Sequence, residues 1–189
     1  MNLRSARCVA LAGLLVLGLV PFAGAVEYKE VNAKASTLSF TYQQMGSRNY
    51  GTFGKFEANL DFDTDNPGAA HAALTIDLKS IDAGSDDANT ELNKPAWFDT
   101  SAYPVATFES TAVKALGDNR YTFTGKLSLR GQTRVVKVPV LLKSENNVGI
   151  FDGELVLKRD DFKMGEGEWA DTVVSNEINI RFRMVAPQR

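Results

Sequence analysis

Cysteine, histidine and long apolar runs are what this chain has least of. One cysteine (Cys8) and one histidine (His71) occur in 189 residues. Zinc and transition-metal sites draw mainly on those two residue types, so no metal site is expected. Ser-His or Cys-His nucleophilic catalysis would rest on His71 alone, and His71 follows the turn Asn66-Pro67-Gly68, which predicts a surface position. There is no Lys/Arg stripe of the kind that meets nucleic acid, because the 21 basic residues are scattered among 23 acidic ones. The one long apolar run, Val9 to Val20, falls short of the ~20 residues needed to cross hydrocarbon.

What is there begins with that run. Arg4 and Arg7 precede it and Ala23-Gly24-Ala25 follows it, the layout of a secretory signal peptide over residues 1–25 cleaved near Ala25-Val26. Cys8 lies before the run rather than at the cleavage point, which argues against a lipoprotein and leaves the mature chain without a disulfide. The expected location is periplasmic or secreted. Residues 26–189, about 164 in number, suit one domain with a full core. Without Arg4 and Arg7 the 21 basic residues fall to 19 against 23 acidic, a net charge of about −4 that keeps an exported protein soluble.

Period-two alternation dominates the remainder. Apolar residues alternate with polar ones from Leu38 to Tyr42, Phe56 to Phe62, Ala72 to Leu78, Tyr121 to Leu129, Val136 to Leu142, Phe151 to Leu157 and Ile178 to Met184. Turn chemistry separates them at Asn66-Pro67-Gly68, Gly117-Asp118-Asn119, Arg130-Gly131-Gln132 and Asn146-Asn147. Such strands predict an all-β, antiparallel sheet curled into a barrel. Charges such as Glu57, Asp61, Lys126 and Arg181 oppose each apolar face, so the greasy face is read as the inside and an outer-membrane barrel is disfavoured. One segment breaks the pattern. A short helix is expected after Ser85, with Asp86 or Asp87 as N-cap, Ala88 and Leu92 on one face, and Pro95 as its stop. Trp97-Phe98 follows and would help to close one barrel end.

Few residues invite chemistry. Asp61 to Gly68 superficially resembles a calcium loop, yet Asn66 stands where the glycine belongs and Ala72 where the bidentate glutamate belongs, so a strand end and turn are expected. Glu166, Glu168 and Asp171 surround Trp169 in a Gly-rich loop that reads as a solvated connection, with acids over a pocket mouth as the alternative. Arg48 and Arg134 read as solvated surface cations, or else as partners for an anionic head group. The aromatic load is heavier, with eleven Phe, five Tyr and two Trp. A barrel interior either packs solid or holds one ligand. Small inward residues (Ala58, Ala72, Gly125 and Gly153) leave room at several levels, and on the residues alone both readings stand.

The order of several short pieces resembles the YceI family, secreted lipocalin-like proteins that bind polyisoprenoid lipids. These pieces are Gly51-Thr52-Phe53, Phe56, Leu60-Asp61-Phe62-Asp63, Asn66-Pro67, Ser80-Ile81, Leu92, Phe98-Asp99, Tyr103-Pro104, Ala106-Thr107-Phe108 and Ser110. A hairpin from Gly125 to Arg134 and the turn Arg159-Asp160-Asp161-Phe162 complete the match, which runs from Glu27 to Met184. The resemblance implies an extended eight-stranded antiparallel, lipocalin-like barrel with a short helical segment near residues 86–98. It implies a non-enzymatic binding protein that carries a long-chain isoprenoid lipid, of polyprenyl or isoprenoid-quinone type, with no cofactor besides that lipid. Phe40, Tyr42, Phe53, Leu74 and Ile76 are then expected to line the cavity. So are Trp97, Phe98, Phe108, Phe123, Leu127 and Ile180. The chain departs from the family at Ala58, where glycine is common, and at Ala88-Asn89-Thr90-Glu91, where a charged Arg-Asp-x-His run is common. That departure favours a neutral head group. Transient membrane contact and a homodimer through exposed strand edges complete the expected partners; nucleic acid is not among them. A solid-cored interaction module and a lipid-modifying enzyme are the competing readings.

Overall fold

The computed structural model describes residues 25–166 and 173–189. The expected signal peptide therefore lies almost wholly outside the described residues, as do Glu168, Trp169 and Asp171. Eleven strands form one sheet: β1 (Glu27–Glu30), β2 (Thr37–Gln44), β3 (Ser47–Phe53), β4 (Phe56–Asp63), β5 (His71–Asp77), β6 (Ile81–Asp82), β7 (Val105–Gly117), β8 (Arg120–Leu129), β9 (Gln132–Glu145), β10 (Val148–Lys158) and β11 (Glu177–Pro187).

Eleven strands and an expectation of eight are reconciled by three breaks. β1 and β2 are one stave interrupted by a 3-10 turn at Ala33–Ala35, capped by the Asn32 side chain. β3 and β4 are one stave bent at Gly54-Lys55, and β5 and β6 one stave bent at Leu78–Ser80. The pairings show this continuity. β1 pairs with β4 and β2 with β3; β4 pairs with β5 and β3 with β6. The bends of the second and third staves are tied together, since the amide of Gly54 donates to the carbonyl of Ser80 at 3.0 Å and that of Asp77 to the carbonyl of Lys55 at 3.0 Å. β7, β8, β9, β10 and β11 follow as an antiparallel meander in which β9 and β10 pair only between Val140–Glu145 and Val148–Gly153 and separate beyond Gly153. β11 then pairs with β2 and reaches β1 through the Tyr28–Gln188 bridge, with the Arg189 amide donating to the Glu27 carbonyl at 2.9 Å. Eight staves close on themselves.

Four two-residue hairpins set the registers. Met45-Gly46, Asp118-Asn119, Arg130-Gly131 and Asn146-Asn147 all have positive φ at both positions, the turn geometry whose twist matches that of paired strands. The helix α1 (Asp86–Leu92) crosses the end of the barrel where Met45 and Arg130 turn. Its N-cap is Ser85, whose hydroxyl accepts from the Ala88 amide at 3.2 Å, rather than Asp86 or Asp87. A serine with extended backbone just before the first turn outcompetes the two aspartates, which instead place negative charge at the helix N-terminus. The helix stops at Leu92, so Trp97 and Phe98 sit in a turn beyond it.

The far end is packed solid. Phe62 is 0 % exposed and touches Tyr121, Phe151 and Phe123 at ring-centroid distances of 4.9, 5.3 and 6.1 Å, the first two edge-on. Tyr28 adds a T-shaped contact to Phe151 at 5.3 Å. Truncation of Phe62 to alanine leaves a void in this layer, and the expected cost is about 3–5 kcal/mol, read from the urea midpoint at unchanged slope.

Candidate functional site

Above that layer the barrel is hollow. An apolar cavity of about 510 Å³ runs from Leu60, Phe123, Val140 and Phe151 up to the underside of α1. Inward residues in its wall, among them Leu74, Ile76, Phe108, Leu127 and Ile180, remain only half-buried, whereas Tyr28, Phe62, Val113, Tyr121, Leu142 and Ala186 below are buried. The difference arises because the upper side chains face space rather than one another.

All eleven residues expected to line a cavity lie on this one. Phe40 and Tyr42 come from β2, Phe53 from β3, Leu74 and Ile76 from β5, Phe108 from β7, Phe123 and Leu127 from β8, and Ile180 from β11. Trp97 and Phe98, both buried, cover the upper end together with Ala88 and Leu92 of α1. Sequence reasoning missed the aliphatic half of the wall, including Leu38, Leu129, Leu155 and Ile178; these belong to the same alternating series and were legible in it. It also missed Leu78, Met164 and Val174, which enter from turns and loops that carry no periodic signal.

The glycines act differently from the expectation. Gly153 stands opposite Phe182 and Gly51 opposite Phe40, while Gly125 is a diagonal neighbour of Phe108. At each glycine the far edge of the ring occupies the place a Cβ would take. Gly125 and Gly153 therefore leave no empty room themselves. They let large rings lean along the wall instead of into the lumen, and the room opens beside them.

The upper end is held by Arg159, which is 2 % exposed. Its Nε donates to the carbonyl of Ser175 at 2.8 Å, Nη1 to those of Met164 at 2.6 Å and Gly165 at 3.5 Å, and Nη2 to that of Val174 at 2.7 Å. The guanidinium also lies 5.3 Å from the Trp97 ring centre, a cation–π contact. This one side chain joins the segment after β10, the segment before β11 and the Trp97 turn. Arg130 braces the same region by donating to the carbonyls of Lys163 and Pro95. Among the described residues the remaining charged groups on the cavity are Asp87 and Glu91 of α1, Glu91 paired with Lys94, with Ser85 and Gln44 beside them at the rim. Asn89 accepts from the Ala83 amide at 2.7 Å and fixes α1 to the end of β6.

Other candidates fall elsewhere. Glu166 is exposed. Arg48 lies exposed on β3 and Arg134 on β9, where its guanidinium donates to the Thr133 carbonyl. His71 is exposed at the start of β5, and the acidic stretch from Asp61 ends β4 and passes into a 3-10 turn at Pro67–Ala69. No helix among the described residues is long and apolar enough to cross a membrane.

Two outcomes follow from this geometry. A valine at Gly153 must drive the Phe182 ring into the lumen, so Gly153→Val is expected to weaken uptake of an apolar fluorophore about tenfold or more, whereas Gly68→Ala, in open space, leaves uptake unchanged. Burial pushes the Tyr42 phenol above its usual pKa of 10.0. The contribution of the neutral phenol is complete below pH 10 and is lost as pH rises through the folded-state value, because the unfolded chain releases that proton first. Denaturation midpoints should fall above pH 10, less steeply in Tyr42→Phe.

The comparisons with known proteins agree with this architecture. The model of the YceI-like domain matches residues 30–186. A UPF0312 protein of Pectobacterium atrosepticum is 31% identical over 164 residues, covering 82% of this chain and 85% of that one. Protein YceI of Escherichia coli is 35% identical over 138 residues, 70% of this chain and 72% of its own. The crystal structure of BcnA from Burkholderia cenocepacia superposes with a TM-score of 0.81 at 37% identity, over 83% of this chain and 99% of that one. A domain of Saccharophagus degradans, described as polyisoprenoid binding, shares the fold at 20% identity with a TM-score of 0.65, over 87% of this chain and 99% of its own. With a closed eight-stave barrel, the family model matched over nearly all of its described length and relatives of more than 30% identity, this chain belongs to the YceI-like domain family.

Proposed function

We propose that this chain is an exported binding protein, not an enzyme, that encloses the tail of a long-chain isoprenoid lipid and ferries it across an aqueous gap. The observation that carries the reading is the apolar cavity of about 510 Å³, walled by leaning rings and roofed by α1. The fold shared with the polyisoprenoid-binding domain of Saccharophagus degradans supports the class of ligand.

The energetics suit a carrier. Burying a CH₂ from water gains about 0.8 kcal/mol, so a prenyl tail is held firmly against loss to solvent, after the ordering of a flexible chain is offset. Between a bilayer and the cavity the tail exchanges one apolar medium for another. Loading and unloading at membranes are then nearly balanced, and direction follows supply and demand.

The rim speaks to the head group. Arg159 donates to backbone carbonyls, and among the described residues the other charged groups on the cavity are Asp87 and Glu91, the latter paired with Lys94. A phosphate would meet like charge there, so an uncharged head of the quinone or phenol kind is favoured. The N-terminal Arg4, Arg7 and apolar run supply the route out of the cell.

Native mass spectrometry of protein purified from the exported fraction, with organic extraction of the same sample, tests this reading. A chain beginning at Val26 that retains an extractable isoprenoid is the expected result. A bare polypeptide mass that stays bare after incubation with a prenyl quinone overturns it.

A further inference from the structure

The barrel wall splits along a seam between β9 and β10. β9 stays paired with β8 as far as Gln132–Leu129, and β10 with β11 as far as Lys158–Glu177. Between β9 and β10 themselves the ladder ends at Val140–Gly153. Both strands therefore run on without pairing to each other along Glu154 to Lys158, ~17 Å of strand. We propose that this seam is a side entrance, through which an apolar tail slides from a bilayer into the cavity. The inference rests on the reading above that the occupant is a lipid with such a tail.

The seam is bounded at both ends. Below, six residue pairs hold β9 and β10 together around the Asn146-Asn147 turn. Above, Arg130 at the tip of the β8–β9 hairpin donates to the carbonyl of Lys163, beyond the end of β10, and to that of Pro95. Along its inner side Val138 and Val140 of β9 and Leu155 and Leu157 of β10 line the cavity. Its outer lips carry Val135 and Val156, which are 70 % and 52 % exposed. A tail crossing here meets apolar side chains on both faces of the wall.

Charge explains why the ladder stops. Continued in register, it would set Val138 against Leu155 and Val136 against Leu157, both compatible pairs, and then Arg134 against Arg159. Like charges directly opposite oppose pairing. Arg159 is engaged instead with the carbonyls of Met164, Val174 and Ser175, and Arg134 stays exposed. Three other approaches to the lumen are filled. The interval between the first two staves, from Glu30–Asn59 to Ser39–Thr52, is covered by the 3-10 turn Ala33–Ala35. That turn is anchored to β11 by the Asn32 amide on the Val185 carbonyl at 2.7 Å. The far end is the packed Phe62 layer, and the upper end carries the buried Trp97 and Phe98.

The test follows uptake of a short prenyl quinone from phosphatidylcholine vesicles by quenching of tryptophan fluorescence, since Trp97 lies on the cavity. Residues 26–189 contain no cysteine, so Lys137→Cys/Val156→Cys introduces a single pair, placed opposite each other by the continued register. Its disulfide zips the seam. Uptake and release are expected to slow about tenfold or more and to recover on reduction, with Kd within about threefold, because both directions pass one gate. Ser128→Cys/Thr133→Cys, across the intact β8–β9 ladder, is expected to leave the rates unchanged. Val135→Asp/Val156→Asp charges both lips without touching the lining and is expected to slow uptake about threefold or more. Unchanged uptake in the oxidised Lys137→Cys/Val156→Cys protein or in the aspartate variant, or equal slowing by both disulfides, overturns the side entrance while lipid binding stands. Failure of the unsubstituted protein to take up the quinone at all instead overturns the proposed ligand class.

Discussion

The constraint on which the rest of this structure depends is that a domain without a disulfide must remain folded around empty space. Protein interiors gain their cohesion from close packing. A chamber of about 510 Å³ gives up those contacts along its wall. The molecule answers by dividing its interior. Tyr28, Phe62, Tyr121 and Phe151 interlock below, and a second buried cluster that includes Leu38, Phe53, Leu78, Ile81, Trp97 and Phe98 packs above. An occupant bound to the folded state alone would add to stability by mass action, so the chamber is a site where ligand and fold are coupled.

Large aromatics in a narrow barrel would ordinarily meet across the lumen. Glycine on the neighbouring strand changes their direction: Phe40 over Gly51, Phe108 over Gly125 and Phe182 over Gly153 turn bulk into lining. Hollowness is thus written in the pairing of two residue types across a ladder, and neither alone reveals it. Seen only along the chain, Gly125 and Gly153 look like absent volume. Once the register is known, they are seats for rings.

Much of the architecture was legible because one signal, alternation, survives without tertiary information. Seven strands carry it plainly, and the inward members of those series form the cavity wall and the packed layer below it. β3 and β7 did not announce themselves, since their inward positions include Gly51, Ala106 and Ser110, and β7 is further shifted by a bulge between Ser110 and Ala112. β1 and β6 have four and two residues, too few to show a period. The role of Arg159 was illegible for another reason. Its partners are main-chain carbonyls of Met164, Val174 and Ser175, groups every residue possesses, brought together only by the fold. A buried cation that bonds to main-chain carbonyls holds loops in place in a way that no side-chain pattern signals.

The bridge between Tyr28 and Gln188 joins the first strand to the last, and this has a bearing on how copies of the chain meet. An open sheet ends in unpaired amides and carbonyls that can template a neighbour. Here the first and last strands have found each other, whereas β9 before Val140 and β10 after Gly153 run without a ladder between them. Those two segments, beside the exposed Val135 and Val156, are where the backbone still offers donors and acceptors to a neighbouring strand.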